Sequence, residues 1–430
     1  MKVFLDTLGC KLNQSEIETM ARQFRAAGHE IVASAESADM AVVNTCAVTN
    51  DAASDSRRKI RQLSQAGVHE IIATGCWSTL KPKEASALPN VLKIVPNDRK
   101  DSLVTEIFND HPSSFIPHPS TFDLEPLARS PLPGLHRRTR AFIKAQDGCD
   151  NHCTFCITTV ARGASRSRPL AGVINDIQFA LDGGAKEIVL TGVHLGSWGY
   201  DFGSRLRDLV KTILRETDTP RLRLSSLEPW DLDAGFFSLW QDKRLCPHFH
   251  LPLQSGCAAT LKRMARKTTP ASFRGLAAAA RQVIPDAAIT TDLIAGFPGE
   301  TESEFAESLD FVREMNFAGG HAFTYSPRPG TAATRLAGQI RPEVRKERNA
   351  ALREALEESA KSYRQKFIGQ TLSVLWESST QLTDQGWQME GWSENYLRVE
   401  TTAPRPLWNE ISTVRLIAMD RDVISGALTF

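Results

Sequence analysis

Residues 149–156 read Cys149-Asp150-Asn151-His152-Cys153-Thr154-Phe155-Cys156, a CxxxCxxC loop. Three thiolates at this spacing can hold three irons of a cubane [4Fe-4S] cluster and leave the fourth iron open to a substrate. Zinc is the rival, with His152 completing a Cys3His set. Zinc loops usually use CxxC pairs, however, and a side chain one residue before Cys153 must fold back sharply to reach the same ion. A second trio, Cys10, Cys46 and Cys76, precedes the loop. The arithmetic points to two separate clusters, each with an open metal corner.

The second trio carries its own fold signal. Val3-Phe4-Leu5, Met40 to Val43 and Ile71-Ile72-Ala73 are short apolar runs that precede Cys10, Cys46 and Cys76. Between them Ile17, Met20, Ala21 and Phe24 recur at helical spacing and stop at Gly28, and Arg57 to Gln65 carries Ile60 and Leu63 on one face. Alternating strand and helix predicts a doubly wound parallel sheet over 1–110, with ligands at its carboxyl edge. A lone buried cysteine is often a small core residue; three of three just beyond strand ends is a stronger signal.

Residues 111–136 are too rich in proline for regular structure and read as a linker. The block 137–365 alternates again, with strands predicted at 141–144, 187–190, 221–225, 288–292 and 320–323, which reads as a complete or partial (β/α) barrel. Its strand ends carry Thr191-Gly192, Ser226-Leu227-Glu228 and Ala295-Gly296-Phe297-Pro298-Gly299-Glu300. Five short strands predicted over 366–430 make a small all-β barrel.

With 430 residues, 41% hydrophobic and 23% charged, the chain is an ordinary globular protein of two or three domains. The net charge of +1 is uninformative, but Arg137, Arg138, Arg140, Lys144, Arg162, Arg166 and Arg168 bracket the cysteine loop, a patch suited to phosphates or to plain solvation. No charged-then-apolar leader opens the chain, and charged residues break every apolar run that could span a membrane. The expectation is a cytoplasmic protein whose thiols stay reduced.

The residues also resemble a known family. CxxxCxΦC with Phe155 at Φ is similar to the signature of radical S-adenosylmethionine (SAM) enzymes. Thr-Leu-Gly-Cys10, Asn-Thr-Cys46 and Thr-Gly-Cys76 resemble the methylthiotransferase branch. Thr7-Leu8-Gly9-Cys10-Lys11-Leu12-Asn13-Gln14-Ser15-Glu16 looks like the subfamily acting on threonylcarbamoyladenosine in tRNA, rather than those acting on isopentenyladenosine or on an aspartate of a ribosomal protein. Matching stretches run from Leu190 to Gly196, Ser225 to Pro229, His250 to Cys257 and Tyr325 to Thr331. Departures at Ile157 to Gly163 and at Trp77-Ser78-Thr79 flank the two clusters and leave every cysteine in place.

The resemblance implies an α/β fold: an N-terminal doubly wound domain, a radical SAM (β/α) partial barrel, and a C-terminal OB-like barrel of the TRAM type. It implies two [4Fe-4S] clusters, one on Cys149, Cys153 and Cys156 that cleaves SAM to a 5′-deoxyadenosyl radical, the other on Cys10, Cys46 and Cys76 that delivers a methylated sulfur. It places Phe155 beside the SAM adenine, Thr191 and Gly192 at its methionine end, Ser226 and Glu228 in the SAM pocket, and Ala295, Gly296 and Gly299 along the adenine. No acid–base pair is needed. The implied partners are tRNA and a low-potential electron donor such as a flavodoxin or ferredoxin, with no membrane. A redox sensor or electron carrier is the non-enzymatic alternative.

The tail has five basic residues (Lys366, Arg398, Arg405, Arg415, Arg421) against eight acidic ones, a poor balance for gripping phosphates. The expected RNA contacts are therefore Arg137, Arg138, Arg140, Arg162, Arg166 and Arg168, with Arg263, Arg266 and Lys267. Trp376, Trp387, Trp392 and Trp408 read either as base-stacking platforms or as core. Cys246 and Cys257 read as core thiols rather than as a zinc site with His248 and His250.

Overall fold

A computed structural model describes residues 1–108, 135–136 and 139–429. Arg137, Arg138 and most of the proline-rich stretch lie outside the described residues.

The N-terminal sheet has five parallel strands, β1 (Lys2–Thr7), β2 (Glu30–Val32), β3 (Met40–Thr45), β4 (Glu70–Gly75) and β5 (Val91–Val95), in the order β2-β1-β3-β4-β5. Both faces are covered, so β3 is buried along its whole length. Met40 and Val42 face α1 (Lys11–Ala26) through Ile17, Met20 and Phe24. Ala41 and Val43 face α2 (Asn50–Gln65) through Ile60 and Leu63. This period-two alternation against two period-3.6 faces produces the double winding. Thr49 caps α2 by accepting from the Ala52 amide at 3.1 Å.

The strand β6 (Leu135–His136) leads into the barrel, whose first strand is β7 (Arg140–Lys144). A small antiparallel pair, β8 (Gln146–Asp147) and β9 (Arg166–Ser167), frames the cysteine loop. The other barrel strands are β10 (Glu187–Thr191), β11 (Leu222–Leu224), β12 (His248–His250), β13 (Ala288–Ala295) and β14 (Gly319–Thr324). They form two parallel runs, β7-β10-β11 and β12-β13-β14. A parallel bridge from Leu222 to Leu245 joins them, and no pairing closes β14 onto β7 among the described residues. The barrel is thus partial. β12 escapes a periodicity reading because it is three residues long, with Pro247 before it and Pro252 soon after.

The tail strands are β15 (Thr371–Thr383), β16 (Gly386–Ser393), β17 (Arg398–Ala403), β18 (Ile411–Asp420) and β19 (Val423–Leu428). They run β16-β17-β19-β18-β15, and β15 pairs back with β16, so the sheet closes on itself. The reading of 111–136 as free of regular structure needs correction at its end, because Leu135 and His136 pair with Ser379 and Ser378 of β15. A two-residue strand has no sequence signature of its own. Trp376 is fully buried in a core with Met389, Val399, Val414 and Ile424, which also takes in Ala288 and Tyr363 from the barrel side.

Candidate functional site

Each cysteine of the first trio sits just past a strand of the N-terminal sheet. Cys10 precedes α1, Cys46 follows β3, and Cys76 opens the short helix α3 (Cys76–Leu80) directly after β4. The backbone brings them together closely. Gly9 has φ +92°, and a Cβ placed there would lie 2.5 Å from Cys46 Sγ, so only glycine leaves room for the sulfur. The first turn of α1 has no acidic residue and no side-chain cap bond at Cys10, which leaves the positive end of that helix facing the trio. Asn97 Nδ2 lies 3.7 Å from Cys76 Sγ.

The second trio hangs between β8 and the helix Thr158–Arg162. Gly148 plays the part of Gly9: its φ is +68°, and a Cβ would fall 1.9 Å from the Ala164 carbonyl. The amides of Asn151 and Thr158 donate to Cys149 Sγ and Cys156 Sγ, each at 3.4 Å. Arg266 Nη1 stands 3.9 Å from Cys153 Sγ, pairs with Glu228 at 2.7 Å and covers the Trp230 ring at 4.4 Å. His194 bridges Asp231 at 2.5 Å and Asn151 at 3.3 Å. Burial alone would lower its pKa, but the bond to Asp231 and the nearby Cys149 sulfur lift it to about 10.

All eight cysteines are free. Burial raises the pKa of Cys10, Cys46 and Cys156 and takes Cys153 up to about 11. Cys46, Cys153 and Cys156 therefore hold their protons until a metal displaces them. Among the described residues no three His, Cys, Asp or Glu side chains close on one ion position. Thiols in threes, with amide and guanidinium donors aimed at sulfur and positive charge nearby, suit a cubane, which spreads its ligands over several corners.

A buried charge network joins the two trios. Arg162 bonds Glu16 at 2.8 Å, Asp147 at 2.9 Å and Asn13 at 2.6 Å, and Lys100 completes Glu16 at 2.8 Å. Arg162 is 3% exposed, so the reading of this residue as a phosphate contact is corrected: Glu16 and Asp147 already claim its charge. Arg140 pairs with Glu377 at 2.5 Å, Arg168 with Asp176, and Arg263 with Glu304. Arg166 stays half exposed, its guanidinium turned onto the Arg162 and Ala164 carbonyls.

A chamber of about 800 Å³ lies where the three parts meet. Cys10, Cys46 and Cys76 line it with Arg162, Thr191, Gly192, Ser225 and Ser226. The far wall is His248, His250, Asp292, His321 and, from the tail, Tyr396. Ser225 Oγ and His248 Nδ1 are buried there without a partner. Phe155 packs instead on Phe297, ring centres 6.4 Å apart, and Glu228 stays with Arg266. Ala295 is buried in the barrel core, while Gly296 and Gly299 pack against Arg345 and Arg263. Lys11, His248, Asp292 and Tyr396 are chamber residues that sequence reasoning missed; Lys11 was visible only as part of the first cysteine motif. A groove past Arg353, Arg364 and Arg398 shares His321, Phe323 and Tyr396 with the chamber. No helix among the described residues is long and apolar enough to cross a membrane.

Known proteins agree with this architecture. The profile of the Radical SAM superfamily matches residues 143–312, and that of Uncharacterized protein family UPF0004 matches residues 2–96. A solved radical SAM methyltransferase, TsrM from Kitasatospora setae, shares the fold with a TM-score of 0.56 at 14% identity, over 77% of this chain and 76% of that one. Fold and cysteine loop thus define a radical SAM protein. The threonylcarbamoyladenosine tRNA methylthiotransferase MtaB of Thermotoga maritima is 38% identical over 87% of this chain and 86% of its own. The tRNA-2-methylthio-N(6)-dimethylallyladenosine synthase of Geobacillus kaustophilus is 30% identical over 99% of this chain and 82% of its own. The chain belongs to the family of radical SAM tRNA methylthiotransferases.

Proposed function

We propose that the protein replaces a hydrogen on the adenine ring of N6-threonylcarbamoyladenosine in tRNA with a methylthio group. One observation carries the reading: Cys10, Cys46 and Cys76 face Thr191, Gly192 and Ser226 across a single chamber. A sulfur donor and a radical source need that closeness, since reacting atoms must meet in one enclosed geometry. Greater identity to the threonylcarbamoyladenosine relative than to the dimethylallyladenosine one favours the substrate.

Cys149, Cys153 and Cys156 would hold one [4Fe-4S] cluster, and Cys10, Cys46 and Cys76 the other. With SAM bound, these cofactors supply radical generation and a transferable methylated sulfur. The chain's own residues position and shield. Thr191, Gly192 and Ser226 line the SAM side, with Phe155, Glu228, Ala295, Gly296 and Gly299 in the shell around it. Arg266 and the amides of Asn151 and Thr158 steady the sulfurs. The groove past Arg353 would lead an RNA strand to Tyr396. A low-potential donor such as a flavodoxin or ferredoxin would supply electrons in the cytoplasm.

Mass spectrometry of nucleosides from tRNA, incubated anaerobically with reconstituted protein, SAM and a strong reductant, tests this. The expected product is threonylcarbamoyladenosine carrying one added methylthio group. Accumulation of 5′-deoxyadenosine with that nucleoside unchanged would sink the substrate assignment; absence of 5′-deoxyadenosine would leave the redox-sensor reading.

A further inference from the structure

We infer that Lys11 determines substrate specificity by binding the carboxylate of the threonyl group, with Tyr396 as the opposite wall of that subsite. The inference rests on the function proposed above and deepens it.

The charge inventory of the chamber isolates Lys11. Arg162 is held by Glu16 and Asp147 at 2.8 and 2.9 Å. His250 and His321 share Asp292, each at 3.3 Å. His248 bonds Thr290 at 3.1 Å and is kept neutral by burial and by the nearby Arg223. Arg140 and Arg223, behind Tyr396, are taken by Glu377 and Glu187. Lys11 alone among these cations has no carboxylate within ion-pair distance among the described residues. It is half-buried on the chamber wall, and its ammonium stands 5.8 Å from the Tyr396 ring centre.

Even half-buried, an ammonium without a counter-ion is costly. A threonylcarbamoyl group brings one anion, its carboxylate, whereas a dimethylallyl group brings none. The position also suits the chemistry. Lys11 follows Cys10 directly, so anchoring the far end of the N6 substituent there keeps the base in the chamber beside the sulfur-bearing trio.

Tyr396 is fixed for such a role. Its φ is +65°, a left-handed backbone that a tyrosine rarely adopts. Its ring is sandwiched by His248 at 4.3 Å and Trp392 at 4.6 Å, with Arg223 at 5.0 Å. That conformation closes the turn between β16 and β17, where the Tyr396 amide donates to the Ser393 carbonyl at 3.1 Å and fixes the ring's position.

The test uses two anticodon stem-loop RNAs, one with threonylcarbamoyladenosine and one with its carboxylate converted to the primary amide. Wild-type holoenzyme and Lys11→Met holoenzyme are compared by fluorescence anisotropy without reductant, then by single-turnover methylthiolation. Iron content is measured in both. We expect wild type to prefer the acid by roughly tenfold or more, as for a hydrogen bond between charged groups. Lys11→Met should lose that factor on the acid and nothing on the amide, and Lys11→Arg should keep part of it. Equal wild-type affinity for acid and amide would overturn the inference. So would an equal loss on both RNAs in Lys11→Met, since that marks a structural role beside Cys10. If wild type never methylthiolates the acid RNA, the function reading fails, while the binding preference still decides the role of Lys11.

Discussion

Gly9 shows how little space separates the first trio. Alanine there would force a left-handed φ of +92° on an L-residue and drive its Cβ to 2.5 Å from Cys46 Sγ. We expect Gly9→Ala to lose roughly half of the iron on reconstitution, as for one of two [4Fe-4S] clusters, while the Cys149 loop stays loaded. Iron quantitation together with reductive SAM cleavage to 5′-deoxyadenosine checks this; full iron content would refute it. The cysteines were readable from the sequence because three follow apolar runs and three share one CxxxCxxC loop. Arg162 was not. In a basic stretch a solvated arginine and a buried one look alike, and Glu16, which claims it together with the nearby Asp147, comes from a distant part of the chain. Lys11, His248 and Tyr396 escaped for the same reason, since they meet only after three separate units have docked.

At the scale of the element, β11 connects the barrel to the tail. Its three residues alternate, Leu222 and Leu224 into the barrel core and Arg223 the other way. Arg223 pairs with Glu187 of β10 at 2.6 and 3.0 Å and donates to the carbonyls of Ser393 and Glu394 at 3.3 and 3.1 Å. Just before the strand, Arg221 donates to the Trp392 carbonyl at 3.1 Å. Burial alone would raise the pKa of Glu187, but Arg223 outweighs it and holds the carboxyl down at about 2, below its ordinary 4.5. The sign follows from the lower folded value. The stabilisation is complete above pH 4.5 and disappears as pH falls from there toward about 2. Glu187→Gln leaves Arg223 buried without its counter-charge, and should cost about 3–5 kcal/mol at neutral pH. Urea unfolding of both proteins across that acid window checks it: the gap should shrink as the carboxyl of the unfolded wild type protonates, and a constant gap would contradict the account. The strands of this region were legible from their apolar runs, except β12. The side of β11 that faces the tail was not, because an arginine in a three-residue strand reads as a solvated edge.

At the scale of the whole molecule, the N-terminal sheet, the partial barrel and the tail barrel each contribute a wall to one chamber. The tail core also absorbs Ala288 and Tyr363 from the barrel side. Removing residues from Lys366 onward should therefore expose apolar surface as well as delete Tyr396. We expect the truncated protein to bind a hydrophobic dye strongly and to self-associate in size-exclusion chromatography; a monodisperse, dye-free truncation would show the tail to be an independent appendage. The acidic composition of the tail fits this structural part, with Trp376 in the core and Trp392 against Tyr396.

The pairing of Leu135 and His136 with Ser379 and Ser378 acts as a clasp, because chain from before the barrel is woven into the domain that follows it. A chimera that exchanges the tail for one from a relative would sever that clasp unless the donor's matching dipeptide travels with it. The unit of inheritance for the tail is therefore discontinuous, two residues upstream of the barrel together with the strands downstream.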